Sequence, residues 1–246
     1  MGLEAAEDDT DRECFSAHLG VISVADAERV MTIAAKLRLN GFIPDVVQLM
    51  AHPRTVALGL KGRHDEHPKD LLVGFDVLAS EGIDFVRSTR GGGITYHWPG
   101  QVVCYPVLAL ESAERNIPRY MTKLEEVGLR TLARFGVEAT RRRDTNAYVG
   151  LWHERGKIVS MGVRVSHWVT AFGFALNLEG DVTPSRFIRP CGIEGAKLTT
   201  MQEILGTAPP RQEVVEAIEE EFASVFGRAL KPIPPELSTL IISGRR

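Results

Sequence analysis

Residues 145–178 read TNAYVGLWHERGKIVSMGVRVSHWVTAFGFALNL, and this stretch decides the predicted fold. Runs rich in β-branched and aromatic residues follow one another closely in it, which is typical of neighbouring strands. The HERG segment at 153–156 is polar and ends in glycine, so it predicts the turn that closes the first hairpin. We therefore expect three antiparallel strands between residues 144 and 178.

Helical patterns lie on both sides of this region. Residues 23–41 carry an apolar stripe, with Ser23 placed to cap the start of a helix and Gly41 to end it. Residues 117–136 form a second strong pattern, whose first turn accommodates Pro118. Three more helices are predicted at 68–82, at 199–206 with Thr200 and Glu203 as a capping box, and at 212–227.

Short β-rich runs complete the sheet. The runs at 45–52 and 55–60 are split by Pro53 and are expected to pair with each other. Further strands are predicted at 84–89 and within 94–110. The fold class that follows is α/β, a single domain with a mixed, mostly antiparallel sheet flanked by helices.

Composition and patterning place this domain within the chain of 246 residues. We expect an acidic flexible tail at 1–14, a catalytic domain at 15–232 and a C-terminal tail at 233–246. Apolar residues make up 44% and charged residues 25%, the ordinary balance of a soluble globular protein. The net charge of −3 gives no general attraction to nucleic acid or membranes, so an acidic partner protein needs a local basic patch.

The amino terminus and the cysteines predict a cytoplasmic protein. The first residues are acidic and lack the apolar stretch of a secretory signal, and no apolar run approaches the ~20 residues of a membrane helix. Cys14, Cys104 and Cys191 are odd in number, widely spaced and without a CxxC pair. This argues against a disulfide framework and against a structural zinc site.

The stretch RGGGITYHWPGQ at 90–101 contains three consecutive glycines. Such a run suits a backbone that approaches a ligand closely or takes positive φ. It is neither a Walker loop nor a dinucleotide fingerprint, because the following residues and the spacing differ. It can present backbone N–H groups and Arg90 to an acyl carbonyl or a phosphate, or it can be a tight turn only.

Cys191 and Lys157 are the candidate catalytic pair. Cys191 stands between Pro190 and Gly192, which suits a rigidly aimed reactive thiol, although a structural loop cysteine remains an alternative. Lys157 follows a turn glycine and enters a strand, so it is either a turn-edge charge or a partly buried ammonium. As a pair, the ammonium would lower the pKa of the thiol from ~8.5, and the neutral amine would act as a general base.

The histidines give weaker signals. His64 and His67 lie in a charged loop without metal-ligand spacing, so no metal site is predicted. His153 and His167 lie near turns, and a Cys–His dyad that uses one of them stays open. Cys104 has the surroundings of a core strand cysteine, and Cys14 lies at the edge of the tail.

Four ordered blocks together resemble one family. They are HPRTVALGLKGR at 52–63, RGGGITYHWPGQVVCYP at 90–106, GKIVSMGVRVSHWVTAFGFALNL at 156–178 and IRPCGIEGAKLTTM at 188–201. The combination resembles the lipoyl(octanoyl) transferases of lipoate biosynthesis, which share their fold with biotin and lipoate protein ligases. The resemblance implies that Cys191 forms the octanoyl thioester and that Lys157 activates it. It also implies an acyl-binding set, namely Arg90, Gly91, Gly92, Gly93, Ile94, Thr95, Tyr96, His97, Ser160, Met161, Gly162, Gly173, Phe174 and Ala175.

The function that the resemblance implies is the first step of protein lipoylation. An octanoyl group passes from octanoyl-acyl carrier protein to a lysine of lipoyl domains, those of 2-oxoacid dehydrogenases and of the glycine cleavage H protein. No cofactor is implied, because exchange between thioesters changes the free energy little and amide formation from a thioester is downhill. An ATP-dependent lipoate or biotin protein ligase and a non-catalytic module that binds acyl carriers are the alternatives.

One position departs from the family pattern. The family's HGPGQ block has glycine after its histidine, whereas this chain has Trp98. An indole at this position is expected to fill space near the loop, which puts either the width of the substrate site or the conformation of the loop in question.

Overall fold

The computed structural model describes residues 12–62, 64–142 and 149–243. Its strands are β1 (Arg12–Val21), β2 (Asp45–Ala51), β3 (Thr55–Leu58), β4 (Asp84–Arg87), β5 (Ile94–His97), β6 (Gln101–Val107), β7 (Thr140–Arg141), β8 (Leu151–His153), β9 (Gly156–Ser166), β10 (Val169–Asn177) and β11 (Arg228–Pro232). Its α-helices are α1 (Val24–Leu39), α2 (Phe75–Ser80), α3 (Ile117–Arg134), α4 (Met201–Leu205), α5 (Arg211–Phe226) and α6 (Pro235–Ser243).

Eight strands form the larger sheet, in the order β11-β1-β2-β6-β10-β9-β8-β7. β1 runs parallel to both of its neighbours, and the other adjacent pairs are antiparallel. The three strands predicted between 144 and 178 are β8, β9 and β10, and the turn between His153 and Gly156 closes the first hairpin. Residues 145–148 of that prediction lie outside the described chain. The mixed, mostly antiparallel sheet is confirmed.

A second sheet holds three strands in the order β4-β3-β5. The predicted pairing of the runs at 45–52 and 55–60 is therefore wrong. β2 is buried along its whole length and has β1 and β6 as neighbours, so it offers no free edge to β3. After Pro53 the chain leaves the large sheet, and β3 pairs with β4 and β5 instead.

Helices cover both faces of the larger sheet. One core cluster joins the sheet to α3 and α5, and the other joins it to α1 and α6. The side chain of Ser23 caps α1 by accepting a hydrogen bond from the Asp26 N–H, as predicted. The helix predicted at 68–82 is shorter, because Leu71 bridges to Ile188 in extended conformation and α2 begins only at Phe75.

Secondary structure is present in the described parts of both predicted tails, while residues 1–11 and 244–246 of those predictions lie outside the described chain. β1 begins at Arg12 and buries Cys14, and α6 follows residue 232 and packs on α1 through the buried Ile241. Asp45 of β2 links α1 to β11, since its carboxylate accepts hydrogen bonds from Arg38 Nε at 2.6 Å and from Arg228 Nε at 3.0 Å. Of the helices in the described residues, none has both the length and the apolar character that a bilayer crossing demands.

Candidate active site

Lys157 is the second residue of β9 and lies in the protein interior, where it is 2% exposed. Its backbone N–H donates to Lys197 O at 2.8 Å, and its carbonyl accepts from the Thr199 N–H at 3.1 Å. The buried Asn177 amide donates to both the Lys157 and Thr199 carbonyls. The chain that follows the predicted nucleophile is thus held against β9, which explains how residues far apart in sequence meet.

Cys191 lies at the centre of a short 3-10 turn, Pro190–Gly192, with φ 59° and ψ 14°. This left-handed conformation is unfavourable for a residue with a Cβ atom and costs of order 1–3 kcal/mol. The turn is stabilised because the Gly192 N–H donates to Arg189 O and the Ile193 N–H donates to Pro190 O. The half-buried sulfur lies 2.7 Å from Lys157 Nζ. Lys157 Nζ donates a hydrogen bond to the sulfur at this distance.

Two neighbours fix the position of the Lys157 side chain. The Trp152 ring lies 5.5 Å from Nζ, within the range of a cation–π contact. Gly150 has φ +114°, and a Cβ atom there would lie 2.9 Å from Lys157 Cε. Only glycine suits this position, because a side chain would be strained and would displace the lysine. Neither neighbour was identified from the sequence, since both act on a residue in another strand.

The glycine-rich loop packs closely between β3 and β9. The Gly91 N–H donates to Val163 O, and a Cβ atom on Gly91 would lie only 2.6 Å from that oxygen. The Gly59 N–H donates to Gly93 O at 3.0 Å, and the Lys61 N–H donates to Gly92 O at 3.0 Å. The run of glycines therefore serves both close backbone approach, at Gly91, and a positive φ of +88°, at Gly92.

Arg90 presents a buried cation at this loop. Its guanidinium donates to Ala57 O at 2.7 Å and to Gly91 O at 3.1 Å, while Nε has no hydrogen-bond partner among the described residues. Burial lowers the pKa of Arg90, and the nearby Tyr105, Cys191 and Glu28 side chains oppose that change. A buried cation with a spare donor can stabilise negative charge that develops nearby.

Glu28 of α1 anchors the entry to the same loop. Its carboxylate accepts hydrogen bonds from Ser88 Oγ at 3.0 Å and from the Thr89 N–H at 3.1 Å, and also from Thr89 Oγ1. Arg164 of β9 donates to Thr89 Oγ1 as well. No local sequence pattern predicted this residue, because the contact links a helix to a loop 60 positions away.

A cavity of about 610 Å³ opens beside the Lys157–Cys191 pair. The predicted residues that line it are Arg90, Gly92, Gly93, Ile94, Thr95, His97, Lys157, Ser160, Met161, Gly162, Gly173, Phe174, Ala175 and Cys191. Residues 160–162 and 173–175 are cross-strand partners one to one, so β9 and β10 build one continuous wall. Lys61, Asp65, Lys69, Asp70, Tyr105 and Val149 also line the cavity and were not predicted.

Two predicted residues do not line this cavity. Gly91 packs on Val163, and Tyr96 lies in a separate core cluster, where it stacks on Trp98 with ring centroids 5.3 Å apart. Trp98 is 4% exposed, and its Nε1–H donates to Glu179 O at 2.7 Å. The indole therefore fills the core beneath the small sheet and does not line the cavity.

The histidine at the cavity wall is neutral. Burial lowers the pKa of His97 well below 6.5, and the nearby His52 adds to this effect. Its Nδ1–H donates to Gln101 Oε1 at 2.8 Å. His153 and His167 do not line the cavity, and the sulfur of Cys191 has Lys157 as its partner instead of a histidine. Across the described residues, no group of three His, Cys, Asp or Glu side chains is arranged to hold a metal ion.

Comparison with known proteins gives a consistent family assignment. Residues 24–223 match the family described as lipoyl protein ligase A/B catalytic domain. The octanoyltransferase of Solibacter usitatus is 37% identical over 221 residues, with 90% of this chain and 96% of the relative covered. The octanoyltransferase of Maridesulfovibrio salexigens is 35% identical over 208 residues, with 85% and 94% covered.

Solved structures share the fold at low sequence identity. Lipoate-protein ligase A bound with ATP superposes with a TM-score of 0.77 at 15% identity, covering 94% of this chain and 93% of the other. Biotin protein ligase from Aquifex aeolicus superposes with a TM-score of 0.50 at 11% identity, covering 87% and 68%. These likenesses bear out the predicted architecture.

Proposed function

The chain belongs to the lipoyl protein ligase A/B catalytic domain family and is an acyltransferase that moves octanoyl groups in protein lipoylation, and we propose that it does so through a thioester on Cys191. Lipoyl domains are the acceptors in general terms. The finer proposal is that octanoyl-acyl carrier protein is the donor. Lysines in the lipoyl domains of 2-oxoacid dehydrogenases and in the glycine cleavage H protein are the proposed acceptors.

The observation that carries the thioester proposal is the 2.7 Å contact between Lys157 Nζ and Cys191 Sγ at the cavity. In the first half-reaction the Cys191 thiolate attacks the carbonyl carbon of the donor thioester. A new carbon–sulfur bond forms, and the bond to the carrier's thiol breaks. The Lys157 ammonium gives its proton to the departing thiolate and becomes a neutral amine.

The second half-reaction restores the starting charges. The acceptor lysine arrives as an ammonium, and neutral Lys157 takes one of its protons. The free amine then attacks the Cys191 thioester, an amide forms, and the second proton leaves to solvent. Cys191 departs as a thiolate beside the Lys157 ammonium, ready for the next donor. Each proton and each bond is accounted for without ATP.

The lining of the cavity is suited to binding an acyl chain. Its walls on β9 and β10 are mostly small or apolar, so an acyl chain placed there is removed from water at ~0.8 kcal/mol per methylene. Arg90 and the adjacent glycines lie at the same cavity. We propose that the Arg90 guanidinium and backbone N–H groups of the loop polarise the acyl carbonyl during both transfers.

Intact-protein mass spectrometry after incubation with octanoyl-acyl carrier protein tests the proposal. The expected product is a single octanoyl adduct that hydroxylamine removes, that is absent in Cys191→Ala and that persists in Cys104→Ala. Cys104 is the matched control because it is a fully buried core cysteine whose pKa burial raises.

Two results would overturn the thioester proposal. One is an adduct that maps to Cys14 or Cys104. The other is ATP-dependent transfer of free octanoate that survives Cys191→Ala, which a ligase mechanism predicts. The curated relatives are named for octanoyl transfer, so they do not favour the ligase alternative.

A further inference from the structure

Asp70 is held rigidly beside the turn that carries Cys191. Its carbonyl accepts a hydrogen bond from the Arg189 N–H at 2.8 Å, and the Leu72 N–H donates to Phe187 O at 2.8 Å. Between these two bonds, Leu71 and Ile188 are antiparallel bridge partners. The segment before α2 and the segment before Pro190 thus form a short two-stranded ladder, which fixes the Asp70 backbone relative to the nucleophile.

The Asp70 carboxylate faces the same turn. A Cβ atom built on Gly192 would lie 3.4 Å from Asp70 Oδ2 and 3.7 Å from Oδ1, so both oxygens lie close to the residue that follows Cys191. Asp70 lines the cavity together with Lys157 and Cys191. Within the described part of the chain, its side chain makes no hydrogen bond and no ion pair.

A free carboxylate at this place works against the first half-reaction, because a nearby negative charge disfavours a thiolate. The Lys61 and Lys69 side chains line the cavity too, yet neither forms an ion pair with Asp70 in the described structure. In the second half-reaction, by contrast, a nearby negative charge is favourable. Its substrate amine has a pKa near 10.4 in water and therefore arrives as a cation, and the thioester that it attacks carries no charge.

We propose that Asp70 receives the ammonium of the acceptor lysine and positions it beside the Cys191 thioester. This inference rests on the proposed function. The ammonium then loses a proton to neutral Lys157 and attacks the thioester carbon as the free amine. Asp70 is thus a residue that selects a cationic acceptor, and it takes no proton itself.

Discharge of the preloaded thioester by two different amines tests this role. The enzyme is loaded with octanoyl-acyl carrier protein, separated from the donor, and treated with Nα-acetyl-lysine amide, which is cationic at neutral pH, or with hydroxylamine, which is neutral. Asp70→Asn is expected to raise the KM for the lysine amide about tenfold, in line with the loss of one close charge pair. Its rate with hydroxylamine is expected to stay unchanged, and so is the amount of thioester formed.

Asp84→Asn is the matched control, because Asp84 is an exposed residue of β4 that does not line the cavity. It is expected to behave like the wild type with both amines. Equal loss with both amines, or no loss with either, would overturn the role of Asp70. Failure of the wild-type enzyme to load any thioester would instead overturn the proposed function, and the inference with it.

Discussion

Lys157 Nζ lies 2.7 Å from Cys191 Sγ, although 34 positions separate the two residues in the chain. The contact arises because the segment 197–199 hydrogen-bonds to β9 at Lys157 and brings the Pro190–Gly192 turn with it. In the proposed mechanism this single buried lysine is both the cation beside the thiolate and the base that takes a proton from the acceptor amine. The two roles can be separated by substitution.

Lys157→Ala should slow both half-reactions, whereas Lys157→Arg should form the thioester and then stall. Arginine retains the positive charge beside the sulfur but does not give up its proton at working pH. The measurement is the rate of Cys191 alkylation by iodoacetamide against pH. We expect the Lys157→Ala profile to move to higher pH, where the thiolate forms unaided. Coincident profiles would show that Lys157 does not stabilise the thiolate.

Gly150→Ala should abolish most of the activity by displacing Lys157. The new Cβ atom would clash with the Val159 carbonyl oxygen and lie 2.9 Å from Lys157 Cε, at a residue with φ +114°, so both the β9 backbone and the lysine must move. Gly136→Ala is the matched control, since Gly136 also has positive φ but nothing lies within 4 Å of its Cβ position. We expect both variants to lose stability and only Gly150→Ala to change the alkylation profile of Cys191. Unchanged alkylation in Gly150→Ala would contradict this account.

Local sequence patterns predicted most of the fold. Alternation and turn residues identified β8, β9 and β10, and capping residues located the start of α1. The pairing of β2 with β3 was wrong because strand partners are set by contacts distant in sequence, which a local pattern does not contain. The helix α6 was missed, although its apolar Leu237, Leu240 and Ile241 have helical spacing.

The residues of the candidate site were likewise predicted only in part. Cys191 and Lys157 stand in recognisable sequence blocks, and the cavity lies where the family blocks meet. Glu28, Asp70 and Gly150 stand in no such block, and their roles follow from neighbours in other elements. Tyr96 was assigned to the site because it lies within a block, but residues on a strand alternate between faces, and its ring points to the opposite side from Thr95.

Glu114→Gln should destabilise the protein at neutral pH and have no effect in acid. Arg228 and Arg12 lower the pKa of Glu114 below its ordinary 4.5 and outweigh burial, which opposes them. A carboxylate with a lowered pKa in the folded state contributes stability that is complete above 4.5 and is lost as the pH falls through the folded value. We expect a loss of about 1–3 kcal/mol in unfolding free energy at pH 7.

The measurement is urea unfolding of wild type and Glu114→Gln between neutral pH and pH 3. Glu220→Gln removes an exposed partner of Arg134 and is the control, expected to match the wild type throughout. A Glu114→Gln deficit that stays constant over this pH range would show that the ion pair is not its source.

Glu28→Gln should weaken donor binding while leaving the catalytic pair intact. The substitution keeps the size of the side chain but removes the charge that accepts hydrogen bonds from Ser88 and Thr89 at the start of the glycine-rich loop. A hydrogen bond to a charged group contributes about 1.5–3 kcal/mol, so the KM for the octanoyl donor should rise about tenfold or more.

Alkylation of Cys191 should not change in Glu28→Gln, because Lys157 and the Pro190–Gly192 turn do not contact Glu28. Asp26→Asn, on the exposed side of the same helix, is the control for a general effect on α1. Loss of alkylation together with binding would indicate a general disturbance of the site and contradict a local anchoring role.

The chain-length preference should be set by the cavity and not by Trp98. Each methylene that enters the cavity should improve kcat/KM about fourfold, at ~0.8 kcal/mol, until the space is filled and longer chains overpack it. We expect a preference for medium chains, measured with carrier thioesters of eight and sixteen carbons.

Because the indole stacks on Tyr96 outside the cavity, Trp98→Gly should cost about 3–5 kcal/mol of stability without changing this preference. Trp98→Phe keeps an aromatic ring but loses the hydrogen bond to Glu179. It is the control that largely retains the packing on Tyr96. Equal rates with eight and sixteen carbons in the wild type would show that the cavity does not limit chain length. A preference that broadens in Trp98→Gly would show that the indole does affect the substrate site.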